Sequence, residues 1–186
     1  MENAAFGHLF LEISVHRLCD LYRNKCKTAL ESMTHEQLWT QPYPDANTTG
    51  GIVLHVAEHI HRSVLCLNER ESLLPSGFSH YFPDTYEQPH EVMERLDAEL
   101  AAWRESIHRL LEQPQRLQPD HVHDIYHLVE HASYHLGQVI DRAKAASGVD
   151  FDFARNGMNE RYLRTQIDQN RRRQEFMARN QEIYTL

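Results

Sequence analysis

The chain has 186 residues and a formal net charge of −8. That length suits one domain with a sizeable core. The acid excess argues against a general nucleic-acid binder, whose affinity rests on neutralising phosphates. No apolar run approaches the roughly 20 residues of a membrane span, so neither nucleic acid nor membrane is an expected partner. The start, Met1-Glu2-Asn3-Ala4-Ala5-Phe6-Gly7-His8, lacks a basic segment followed by an apolar core, and no secretory signal is read there. Cys19, Cys26 and Cys66 form no CxxC pair and are odd in number, which points to a reducing cytoplasm.

Aliphatic residues alternate with charges, and Gly and Pro are few. This is the profile of a mostly helical protein. The first predicted helix spans about 6–33. Leu11, Val15, Leu18, Tyr22, Cys26, Ala29 and Met33 recur at steps of three and four and make one buried stripe. Gln41-Pro42-Tyr43-Pro44 breaks the pattern. Thr48 or Thr49 can cap a second helix over about 51–71, with the stripe Ile52, Val56, Ile60, Ser63 and Leu67. Residues 74–88 read as a loop rich in Pro, Gly and aromatics.

A third helix follows over about 89–111, with Pro89 at its first turn, where a missing N–H costs little. Its core residues include Val92, Leu96, Leu100, Trp103, Ile107 and Leu110. The fourth runs over about 121–146 and stops at Ser147-Gly148. A weaker fifth pattern covers about 159–182. The predicted fold class is therefore all-α, a four-helix bundle over residues 1–150 with a helical extension over 151–186. The extension holds seven Arg against five Asp plus Glu, and its run Arg171-Arg172-Arg173 reads as a solvated face. Its apolar groups, among them Phe151, Phe153, Leu163 and Ile167, are too many for a disordered tail.

Fourteen histidines make any single one uninformative, so position on a helix must sort them. The fourth helix carries His123, His127, His131 and His135, and each step of four rotates the side chain by about 40°. His135 borders the apolar stripe most closely, His131 comes next, and His127 and His123 turn towards solvent. Two imidazoles at i and i+4 share one helix face and can close on a single metal ion. The second helix offers His55 and His59 at its stripe edge. Rotation alone slightly favours His59, so the residues themselves leave a three- or four-histidine site with one member open. Glu58-x-x-His61 has the spacing of di-iron carboxylate bundles. Its partner on the fourth helix, Asp124-x-x-His127, is outward and not Glu, so that reading is set aside. Cys66 is expected to be a buried, inert thiol. Nucleophile-elbow, phosphate-loop and dinucleotide-binding signatures are absent.

The run His131-Ala132-Ser133-Tyr134-His135-Leu136-Gly137-Gln138-Val139 resembles the fourth-helix signature of the DinB-like superfamily, which includes YfiT-like metal-dependent hydrolases. Leu136 stands where that pattern often has a basic residue. Gly51-Ile52-Val53-Leu54-His55-Val56-Ala57-Glu58 resembles the first ligand helix of the same family. The resemblance spans about residues 6–147. It implies a DinB-like four-helix bundle with an unusual connection, and metal ligands His55, His131 and His135 for zinc or nickel. It further implies a frequent homodimer and, in some relatives, S-transfer from a low-molecular-weight thiol. Three neutral imidazoles leave an ion its full charge and open positions, the layout of a catalytic site. A small-molecule substrate, hydrolysis or thiol-dependent S-transfer, is then expected; a non-catalytic bundle with a structural or sensing ion is the alternative. Glu58, His59, Glu130 and Tyr134 are candidates to support the ligands or line the pocket.

Overall fold

The computed structural model of the protein describes residues 2–70, 81–169 and Arg172. It is all-helical, with no strand among the described residues. The first long segment comprises α1 (Glu2–Val15), a π-helical stretch (His16–Tyr22) and α2 (Arg23–Glu31). Then come α3 (His35–Trp39), α4 (Thr49–Leu67), α5 (Pro89–Glu112) and α6 (Pro119–Ser147). Residues 160–169 form a further helical turn set.

The predicted stripes are the core. Leu11, Val15, Leu18, Cys26, Ala29 and Met33 are buried, as are all six α5 residues from Val92 to Leu110 named above. Each buried aliphatic side chain contributes on the order of 1.5–3 kcal/mol before ordering entropy is subtracted. Two departures follow from chain geometry. The first helix is not one regular α-helix. The π-helical stretch adds residues per turn and so shifts the register of the buried face, and it buries Cys19 and Leu21 beside Leu18. Asp20 from this stretch accepts from His16 Nδ1 at 2.6 Å and from Arg104 at 2.5 Å, which ties it to α5. Second, α4 ends at Leu67, earlier than periodicity suggests. Asn68 turns its amide back to the Val64 carbonyl at 2.7 Å, and Glu69 takes a positive φ of 55°.

Helix α4 packs against both α5 and α6, which is why Val53, Leu54 and Ala57 are buried as well as Ile52, Ile60, Ser63 and Leu67 of its predicted stripe, while Val56 is half-buried. Trp103 on α5 is fully buried and donates its indole N–H to Ser63 Oγ at 3.0 Å. The short α3 is absent from the sequence reading. It is started by Thr34, whose hydroxyl accepts from the Gln37 N–H, while the Gln37 side chain returns to the Thr34 N–H. Helix α3 places Trp39 flat against the first turn of α4, where only a residue without Cβ fits. A Cβ on Gly50 would come within 2.5 Å of the Trp39 ring.

Of the extension, Leu163 and Ile167 are buried, Arg17 bonds Glu160 at 3.1 Å, and Lys25 lies over the Phe153 ring. Arg172 is exposed. The remainder of the fifth predicted helix and of the arginine run lies outside the described residues, as do residues 74–80 of the predicted loop and residue 71 at the end of the second predicted helix.

Two glycines should respond oppositely to alanine. Gly50→Ala meets the packed indole and should lower stability by about 1–3 kcal/mol. Gly137 lies exposed in the middle of α6 with nothing within 4 Å of an added Cβ, so Gly137→Ala should raise stability by roughly 0.5–1 kcal/mol. Denaturant midpoints measure both, and equal effects of the two substitutions would contradict this packing.

Candidate metal centre

Thr48 is the N-cap of α4, as one of the two predicted threonines. Its hydroxyl accepts from the Gly51 N–H at 3.0 Å and donates to Asp84 at 2.6 Å. That second bond draws the segment 81–88 over the start of α4. Trp39 Nε1 holds the Glu87 carbonyl at 2.8 Å, and a Cβ on Gly51 would stand 3.2 Å from the Phe82 carbonyl oxygen. The segment is thus seated on a helix start stripped of side chains.

This seating orients His55. Its Nδ1 bonds the Tyr81 carbonyl at 2.8 Å, and Phe82 stacks on its ring at 4.1 Å between centroids. A carbonyl only accepts, so Nδ1 carries the proton and Nε2 of the neutral ring keeps its lone pair. On α6, His135 Nδ1 bonds the Gln138 amide oxygen at 2.8 Å, which directs its Nε2 inward by the same logic. Gln138 in turn donates to the Tyr134 hydroxyl at 3.4 Å. His131 completes the group, with its Nε2 3.0 Å from His55 Nε2. One ligand atom from each of His55, His131 and His135 lies within 4.8 Å of the others. Nitrogens bound to one zinc at about 2.0–2.1 Å need this degree of convergence. The three nitrogens therefore lie close enough together to hold a metal ion.

The environment keeps these rings neutral. Burial pushes His55 down to about 4 and His131 down to about 4, and it lowers His135. His59 is pushed down to about 3, again chiefly by burial and then by the charge His131 would carry. Neutral imidazole is the form that binds metal. The site thus stays ligand-ready below pH 6.5, where an ordinary histidine would protonate.

The other candidates fall into place around this trio. The His59 ring lies 4.0 Å from that of His131 and 4.6 Å from that of His55, beside the cluster. His127 is exposed, 5.7 Å from His131. His61 pairs with Glu99 at 3.1 Å on another side of α4, and Asp124 accepts from Cys66, so the two carboxylate-x-x-His segments do not converge. Glu130 is exposed and Glu58 half-buried. The ring partners in view are instead the Tyr81 carbonyl and Gln138, a backbone group and an amide that a search for carboxylates passes over. Tyr134 is 65 % exposed and meets His135 edge-on at 5.1 Å. Cys66 is exposed, contrary to expectation, because it sits at the end of α4 facing α6. It is nonetheless weakly acidic, pushed up to about 11 by burial of the thiol and by Asp124.

A family model for the DinB superfamily matches residues 20–139. The chain belongs to the DinB superfamily. The matched stretch runs from the π-helical segment to Val139 and contains all three clustered histidines. Among solved structures, a conserved protein from Enterococcus faecalis has a similar fold, with a TM-score of 0.50 and 18 % identity over 73 % of this chain and 96 % of that one. At that identity the likeness is one of fold. No curated protein matches the chain. In this DinB-superfamily chain, no helix among the described residues is long and apolar enough to cross a membrane.

The lowered histidine values have a consequence for stability. Unfolded, these imidazoles titrate near 6.5; folded, they resist protonation until pH approaches 3 to 4. Between those limits the unfolded chain binds more protons than the folded one, so stability falls as pH falls. Metal-free protein should lose denaturant resistance steadily from pH 7 to pH 5, a window above most carboxylate titration. A flat midpoint across it would contradict buried neutral imidazoles.

Proposed function

We propose that this protein is a divalent-metal enzyme in which His55, His131 and His135 hold zinc or nickel, acting on a small molecule as a thiol-dependent S-transferase or a hydrolase. The observation that carries the reading is the pair of Nδ1 bonds, to Tyr81 and to Gln138, that aim Nε2 of His55 and His135 at one point beside His131. Three neutral nitrogen donors leave coordination positions for a reactant. When bound, the ion supplies Lewis acidity that favours ionisation of water or a thiol at neutral pH.

The chain's own residues supply the rest. Phe82 covers the His55 face and stands 5.9 Å from His135, which excludes water from that side. Tyr134, exposed and joined to Gln138, offers a hydroxyl at the rim for orienting a substrate. The reading includes a homodimer, as the resemblance implies. One observation favours the non-catalytic alternative: the His59 ring lies 4.0 Å from that of His131, and although its nitrogens stand outside the converging trio, a small shift bringing one of them in would give four protein ligands, the count of a closed structural site.

Elemental analysis after loading with zinc or nickel should give one ion per chain, sharply reduced in His131→Ala. Gln138→Leu should keep the fold and weaken affinity by roughly 10–100-fold, the usual effect of removing a group that orients a ligand. Stoichiometric metal retained in His55→Ala, His131→Ala and His135→Ala alike would overturn the ligand set. X-ray absorption separates the two readings, since three nitrogens plus an exchangeable ligand support the enzyme and four nitrogens the structural site. Thiol conjugation of an electrophile, or ester cleavage without thiol, then assigns the reaction.

A further inference from the structure

The same two helices that carry the histidines also wall a groove of about 950 Å³, counting the solvent at its mouth. It begins where His59 and His127 flank His131 and continues past Arg62 and Cys66 to Arg70 on one side and Asp124 on the other. The helical spacing explains this layout. His59, Arg62 and Cys66 are three and four residues apart on α4, so they share one face. His127 and Asp124 repeat the step of three along α6.

The charge in this groove runs against that of the chain. The protein carries −8 overall, yet two guanidinium groups line this one groove with a single carboxylate. That carboxylate, of Asp124, accepts the Cys66 S–H at 3.0 Å and keeps its charge, so the two arginines leave the groove with a net positive charge of one. Cys66 itself holds its proton and serves as a donor rather than a nucleophile. Guanidinium groups bind carboxylate and phosphate oxygens in paired hydrogen bonds and stay charged at every working pH. From His55 to Arg62 is seven residues, about 10 Å along the helix axis at 1.5 Å per residue, a span that a small metabolite covers.

We propose that this groove is the subsite for an anionic group, carboxylate or phosphate, on the small molecule that reacts at the three-histidine cluster, with Arg62 and Arg70 as its charge partners. The inference rests on the cluster being the reacting centre, but the anion subsite is testable without metal. The substrate class is a small anionic molecule whose charged end lies up to two helical turns from its reacting atom. In an acidic protein the two arginines draw that end into the groove, and His127 and His59 border its path to the cluster.

The test is a nitrogen-15 NMR titration of the full chain, metal-free and zinc-loaded, with inorganic phosphate and separately with succinate at constant ionic strength. Saturable shifts are expected at the Arg62 and Arg70 side-chain N–H groups and at the His127 ring. Loss of charged hydrogen bonds in the Arg62→Gln/Arg70→Gln double variant should weaken binding by roughly tenfold or more. Arg70 is exposed, so Arg70→Gln alone reports even if the double variant folds poorly. Tighter binding of phosphate assigns a phosphate ester, and tighter binding of succinate a carboxylate. Shifts no larger than chloride produces, or shifts unchanged in Arg70→Gln and the double variant, would overturn the subsite. Anion binding in a protein that takes up no metal supports the subsite and counts only against the metal reading.

Discussion

The hydrogen bond from His55 Nδ1 to the Tyr81 carbonyl is the constraint on which the site depends. A buried imidazole must satisfy both nitrogens or lose the solvation it had in water. Here one nitrogen is satisfied by the backbone of a segment that lies 26 residues away in sequence. The bond fixes the tautomer, and the tautomer decides which nitrogen faces the other two histidines. Everything that seats residues 81–88 therefore contributes to the site: Thr48 on Asp84, Trp39 on Glu87, and the Gly50-Gly51 pair that admits the indole and the Phe82 backbone. The short α3, which contributes none of the three clustered histidines, belongs to this chain of dependence because it delivers Trp39.

On the α6 side the corresponding support is local. Gln138 lies three residues after His135, within one turn, so the amide that orients the ring travels on the same helix. The α6 histidine is thus oriented from within its own helix, and the α4 histidine relies on a loop. Burial then sets the chemistry of the trio. Taking imidazole out of water penalises its charged form, and neighbouring imidazoles add mutual repulsion between the charges they would carry. The result is a set of lone pairs held together in neutral form at ordinary pH. The π-helical stretch opposite shows the contrasting solution for a polar group at the core edge. Asp20 is kept charged there by His16 and Arg104 in spite of burial.

The helices, their buried faces and the two candidate ligand segments were legible in the sequence because periodicity is a property of consecutive residues. Leu11 to Met33 and Val92 to Leu110 repeat at three and four, and burial follows that repeat wherever a helix has one packed side. His131 and His135 were legible for the same reason, as a pair on one turn at the edge of a stripe. The choice between His55 and His59 was not. Both border the α4 stripe, and α4 turns out to be packed on several sides, so distance from a stripe centre loses its meaning there. The exposure of Cys66 escaped for a related reason, since it depends on where α4 ends and which part of α6 lies opposite.

By itself, then, the sequence determined an all-α chain, the faces its helices bury, and a pair of histidines one turn apart on the fourth of them. Tertiary structure alone decided that His55 meets His131 at 3.0 Å, that Tyr81 and Gln138 rather than Glu58 and Glu130 hold the rings, and that Arg62 and Arg70 line one groove. His55 meets a carbonyl 26 positions away and a histidine 76 positions away, and the two arginines share their groove with Asp124 of another helix. Local pattern carries no information about such distances, which are set by how the π-helical stretch, the glycine-lined start of α4 and the segment 81–88 pack together.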